Sequence, residues 1–235
     1  CAKLRLHNNI MVEGFSMSGT GKNMLLLLGG IYHDFEGFRE FVVPYFQQQG
    51  YTVRVTYDFD ALTEPTLSEV DVVLLNTCLG GPRKTGPWAA DLNAAQTAAL
   101  VTWVQAGGGL LGLHAASVIG EESQRLRRLL GGYFIEHPPE AEFTVVPLYR
   151  EHPITQGVEA FVVQDELFIN AYERDIEIHM VAQHRRVCHP LVWTRHEGAG
   201  RVAYIGLGHS EKVWALPAYR KLTAQALMWL NAPRN

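Results

Sequence analysis

The chain lacks the features that mark several large functional classes. It has three cysteines, Cys1, Cys78 and Cys188, with neither the spacing of a metal-binding motif nor the even number of a disulfide framework. A reducing compartment is the simpler reading, so a cytoplasmic location is expected, with the periplasm as the alternative. Long apolar stretches are missing too. The longest uninterrupted run near the start is Met24 to Leu28, far below the roughly 20 residues that cross a bilayer. There is no basic excess: the formal charge is -4, and nucleic-acid binding normally needs a positive patch. Arg125, Arg127 and Arg128 do cluster, but at helical spacing beside Glu121 and Glu122, as on a solvated helix face. Neither a nucleic-acid nor a membrane partner is therefore expected. No internal repeat or low-complexity linker divides the chain.

Hydrophobic residues make up 47% of the 235 residues and charged residues 19%, the balance of a well-packed globular protein. Residues 1–23, with Gly19 and Gly21 among small polar neighbours, read as a flexible lead-in. Residues 24–235 read as a single domain.

Met24–Leu28 followed by Gly29-Gly30 has the pattern of a strand buried on both faces. Phe38, Phe41, Val42, Tyr45 and Phe46 form one helical stripe, which Pro44 should bend or shorten and Gly50 should end. Strands are expected at Tyr51–Val55, Asp71–Leu75 and Leu110–Leu113, and helices at Asn93–Ala106 and Glu121–Leu130. This alternation predicts an α/β, flavodoxin-like fold, a mainly parallel sheet with helices on both faces. Further strands in the C-terminal half, around 141–146, 160–163, 178–182, 191–194 and 202–205, read as β insertions. A helix over 216–230 closes the chain.

In such sheets ligands bind beyond the carboxyl ends of the strands. Three strand exits carry a histidine among small residues: His33 after Gly29-Gly30, His114 after Gly112-Leu113, and His209 after Gly206-Leu207-Gly208. One of ten histidines at a strand end means little, but three at successive exits point to one functional face. His7, His179, His184 and His196, among polar neighbours, read as ordinary surface or hydrogen-bonded residues. The run Gly109 to Ser117 has the shape of a nucleophile elbow, a sharp strand-to-helix turn that pushes one side chain out. Its apex is His114, a base or metal ligand rather than a nucleophile. Cys78 and Ser117 are the nearby substitutes.

Several segments in order resemble the ThuA-like (trehalose-utilisation) family: Gly30 to Asp34, Gly108 to Ala116, His152-Pro153-Ile154, Asp165 to Phe168, Pro190 to Trp193, and Gly200-Arg201-Val202 leading to Gly208-His209. The resemblance covers about residues 24–231. It implies a branch of the class I glutamine-amidotransferase-like superfamily. Relative to the amidotransferases, the elbow cysteine would align with His114, which argues against cysteine-dependent glutamine hydrolysis. Their His-x-Glu element is echoed by His209-Ser210-Glu211. The resemblance further implies a role in carbohydrate utilisation, on disaccharides or glycosides oxidised to keto-sugars by partner oxidoreductases.

The residue types allow a physical proposal. His33, His114 and His209 could bind a divalent metal such as Zn or Mn, with Glu166 as a further ligand or as the base. The catalytic candidates are then His114, His209 and Glu166, and the expected chemistry is isomerisation or cleavage of a keto-sugar. Tyr32, His137 and Trp214 are candidate sugar-binding residues, as is Trp88; Asp34 and Glu36 are candidate partners for His33. No nucleotide cofactor is indicated, and a homo-oligomer is compatible with the sequence. The alternative readings are a non-catalytic sugar-binding module and an interaction subunit on an amidotransferase-like scaffold.

Overall fold

An apolar run without alternation must be covered on both faces, and the first strand is. In the computed structural model, which describes residues 21–79, 91–121, 123–148 and 151–233, β1 (Lys22–Gly30) sends Met24, Leu26 and Leu28 into one core and Leu25 and Leu27 into another. Each such side chain contributes about 1.5–3 kcal/mol on burial. The expected lead-in lies, for residues 1–20, outside the described residues, as does Trp88.

The chain continues through α1 (Phe35–Gln48), β2 (Tyr51–Thr56), α2 (Glu64–Ser68), β3 (Val72–Cys78), α3 (Ala94–Gln105), β4 (Gly109–Leu113) and α4 (Gln124–Leu130). Then come β5 (Gly132–Glu136), β6 (Ala141–Pro147), β7 (Phe161–Asp165), β8 (Ile169–Tyr172), β9 (Glu177–His184), β10 (Val187–Glu197) and β11 (Gly200–Ile205). The last elements are α5 (Glu211–Trp214) and α6 (Pro217–Leu230). Nine strands form one sheet in the order β2-β1-β3-β4-β11-β10-β9-β6-β7. Its first five are parallel neighbours and the rest pair antiparallel. The fold is thus the expected α/β architecture, with the additional strands in the C-terminal half. α1 and α6 cover one face through Phe38, Phe46, Leu222 and Leu227. α2, α3 and α4 cover the other through Leu67, Leu100, Val104 and Leu129. Among the described residues, no helix is long and apolar enough to cross a membrane.

Local expectations held in part. Asn93 caps α3 in a reciprocal capping box with Gln96, which fixes where that helix starts. Helix α4 begins at Gln124, later than expected. Pro44 does not shorten α1, which runs on to Gln48. Pro44 and Glu40 both lie on the exposed face, where the carbonyl that Pro44 cannot bond is open to water. The β5–β8 pair, a separate two-stranded sheet, was not anticipated. It matters because it carries the chain to His137.

Candidate functional site

The strand order 2-1-3-4 reverses beside β1, where the crevice of a doubly wound sheet opens at the strand ends. Three histidines meet there. Their ring centroids lie 5.0 Å (His33–His114), 5.1 Å (His33–His209) and 5.6 Å (His114–His209) apart.

Each imidazole is held by its own strand exit. His33 follows β1, and its Nδ1 lies 3.0 Å from the Ile31 carbonyl oxygen. His114 stands at the end of β4 with φ +39, the left-handed backbone that a sharp turn needs and a side-chain-bearing residue rarely adopts. Tyr204 of β11 sits beneath that turn, its hydroxyl donating to the His114 carbonyl at 2.8 Å. The His114 Nδ1 is 3.1 Å from the Gly206 carbonyl oxygen. A carbonyl only accepts, so in both His33 and His114 the Nδ1 carries a proton, and in the neutral form of the ring the lone pair is on Nε2. Both Nε2 atoms are buried without a hydrogen-bond partner. Burial, followed by the neighbouring His114, pushes the His33 pKa down to about 3, so His33 stays neutral.

Glu166, just past β7, supplies the carboxylate. Its Oε2 lies 3.2 Å from the His209 Nδ1 and 3.5 Å from the His114 Nε2. Burial opposes its charge; where His114 and His209 donate to it in their protonated forms, they outweigh burial and hold its carboxyl well below the usual range. The same contact raises the His209 pKa against the opposing effect of burial. One potential ligand atom from each of His33, His114, His209 and Glu166 falls within 4.8 Å of all the others. A tetrahedral ion with bonds of about 2.0–2.1 Å separates its ligand atoms by about 3.3–3.4 Å, close to the two measured contacts. The ring planes are inclined at 71°, 70° and 67° to one another, so the three imidazoles do not stack and face the cluster from different directions. These four residues could hold a divalent cation. Carbonyl oxygens on the far nitrogens of His33 and His114 are the usual support for such ligands.

A second group, His152, Glu177 and His179, also places its potential ligand atoms close together. Here the His152 and His179 rings stack at 4.0 Å and only 26°. Planes that nearly parallel cannot both contain a point about 2 Å from each ring. His152 instead caps a short turn, its Nδ1 accepting from the Ile154 N–H, and the His179 Nε2 lies 2.7 Å from the Thr194 hydroxyl. This pair is structural, in line with the ordinary reading of His179. Burial, then the neighbouring His152, lowers the His179 pKa from 6.5 to about 3. The unfolded chain therefore takes up this proton first. This contribution to stability is fully present above about pH 6.5 and is lost as pH falls from there toward 3. Thermal melts between pH 7 and pH 5 should show a shallower fall in Tm for His179→Gln than for the wild type; equal slopes would remove this account.

The remaining candidates divide. His137 comes close, its Nε2 at 3.8 Å from the Glu166 Oε1, and its ring stacks on Phe168, which also covers His114 at 4.1 Å. Tyr32 is 60% exposed and lines a cleft of about 560 Å³ with Asp34, Glu40, His209 and Glu211. Trp214 touches that cleft, but it is 4% exposed. Its indole N–H donates to the Gly208 carbonyl and its ring packs edge-on against Phe38. The expectation that it stacks on a sugar is corrected, because the side chain is buried. The carboxylate beside His209 is Glu166, so the His209-Ser210-Glu211 echo does not supply it. Asp34 caps α1 and Glu36 pairs with Arg39, so neither orients His33. Ser117 is buried with its hydroxyl against Tyr204, and burial pushes the Cys78 thiol up to about 11. Neither is an activated nucleophile.

Phe168, Tyr204 and Asp165 were not singled out from sequence as site residues. Asp165 and Phe168 flank Glu166 in the Asp-Glu-Leu-Phe element, a signal that could have found them. Tyr204 lies within an apolar strand and gives none.

The sequence model of the ThuA family, described as trehalose utilisation, matches residues 25–230. Solved structures share the fold. A ThuA-like protein from Bacteroides uniformis is 19% identical, with a TM-score of 0.73 over 93% of this chain and 94% of that one. Another from Parabacteroides merdae is 15% identical, with a TM-score of 0.77 over 90% of each chain. A cytoplasmic protein from Salmonella typhimurium is 13% identical, with a TM-score of 0.64 over 89% of this chain and 98% of that one. No curated protein matches the sequence.

Proposed function

The chain belongs to the ThuA family, whose role is in trehalose utilisation, and from that premise we propose that it is an enzyme moving a proton beside the carbonyl of a keto-sugar. The observation that carries this reading is the convergence of His33, His114, His209 and Glu166, with the Nε2 atoms of His33 and His114 buried and without a hydrogen-bond partner. Three imidazoles and one carboxylate suit zinc better than manganese. A divalent cation held there supplies Lewis acidity, polarising a carbonyl and acidifying the adjacent C–H.

The chain's own groups handle the proton. The Glu166 Oε1 faces the His137 Nε2, and the His137 Nδ1 lies 2.9 Å from the Pro138 carbonyl oxygen, which leaves Nε2 as the acceptor in the neutral ring. The proton leaves carbon for the Glu166 Oε1 or the His137 Nε2, and the electron pair moves onto the carbonyl oxygen as an enolate. If the hydroxyl proton on the neighbouring carbon passes to the enolate oxygen and the carbon proton returns to the former carbonyl carbon, the product is an isomerised sugar. If the enolate pair instead re-forms the carbonyl while a C=C bond forms and the β C–O bond breaks, the departing oxygen takes the proton held by Glu166 or His137 and the glycoside is cleaved. The side chain of His137, 35% exposed, can exchange that proton with water. Tyr32 and the cleft beside His209 take the rest of a disaccharide.

Incubation with a keto-disaccharide in deuterium oxide tests the reading. Deuterium should enter next to the carbonyl, and Glu166→Gln should slow its entry by about a hundredfold or more. Tight sugar binding by the wild type without exchange or turnover would favour the binding-module reading instead.

A further inference from the structure

Asp165 ends β7 and is 1% exposed, yet its carboxylate is fully engaged. Its Oδ1 accepts the N–H of Glu166 at 2.9 Å and that of His209 at 3.0 Å. Its Oδ2 accepts the N–H of Gly208 at 2.8 Å. A single oxygen thus bridges the backbone of two residues far apart in sequence whose side chains meet at 3.2 Å.

We infer that Asp165 is the positioning residue that sets the spacing between Glu166 and His209, and through it the affinity and geometry of the cation site. This inference rests on the metal-site reading above. Gly208 has φ +129, and a Cβ there would crowd the Tyr219 hydroxyl at 3.0 Å, so the loop has little freedom to find another path. Asparagine at position 165 keeps the shape but has one acceptor oxygen in place of two. Its amide nitrogen would then face an N–H, leaving a buried donor unsatisfied.

The test is equilibrium binding of cobalt(II) to the full chain, followed by its visible absorption. Asp165→Asn should weaken cobalt binding about 10- to 100-fold, the range for lost support behind metal ligands, and should change the band shape. Val163→Ala, in the core on the same strand, provides a control with a comparable fall in Tm and should bind cobalt as the wild type does. Cobalt affinity and spectrum for Asp165→Asn within twofold of Val163→Ala would overturn the inference. Should Asp165→Asn not fold, Asp165→Glu is read in the same way, because its extra methylene displaces both oxygens. A wild type that takes up no cobalt would defeat the metal reading itself. The spacing role is then decided by amide hydrogen exchange. Exchange at Gly208 and His209 at least tenfold faster in Asp165→Asn than in Val163→Ala supports it; equal rates overturn it.

Discussion

His114→Ala is expected to abolish tight divalent-cation binding while leaving the protein folded. The ring contributes a lone pair at the centre of the cluster, where its Nε2 approaches Glu166 and its plane crosses those of His33 and His209. Loss of a direct ligand should exceed the 10- to 100-fold effect of losing a supporting group. Folding has independent supports. The turn at His114 is tied through its backbone carbonyl to Tyr204, a bond the substitution keeps. Alanine is still strained at φ +39, and the lost packing against Phe168 also costs stability, so Tm should fall by several degrees. Competition titration against a chelating dye measures the affinity. A variant that binds within threefold of the wild type would remove His114 from the ligand set.

Gly30→Ala should have the largest effect on folding. Gly30 is paired with Cys78 where β1 meets β3, and its φ is +113. A Cβ there would land on the Cys78 carbonyl oxygen, which is backbone and cannot rotate away as a side chain would. Strained backbone alone costs about 1–3 kcal/mol, and the clash adds to it, so a total of about 4 kcal/mol or more is expected. His33 lies only three residues further on, so whatever fraction folds should also bind cation poorly. Urea denaturation reads the stability; a loss below about 0.5 kcal/mol would show that the close approach of β1 to β3 is not needed.

These two positions illustrate what could be read from sequence. Glycines at the ends of apolar runs marked the strand exits, and the rule that ligands sit at carboxyl ends of parallel strands selected His33, His114 and His209 from ten histidines. Glu166 was legible as the carboxylate of the Asp-Glu-Leu-Phe element. Asp165 lies in the same element but was not singled out, because it acts only on backbone amides and the element gives no sign of that role. Trp214 was misjudged for a related reason: α5 is four residues long, too short to show a periodic buried face. The β5–β8 pair was also hidden, since Gly132–Glu136 and Ile169–Tyr172 are short and neither alternates cleanly. Trp193, in contrast, stands among apolar neighbours in the sequence, and it is fully buried.

The central claim is that His33, His114, His209 and Glu166 form one cation site at the end of the parallel strands. Metal analysis of protein purified without a histidine tag, after stripping and reloading with zinc, tests it most directly. The account predicts about one tightly held ion per chain, lost in His114→Ala and retained in His179→Gln. No tightly held ion after reloading, or an ion retained in His114→Ala and lost in His179→Gln, would contradict it.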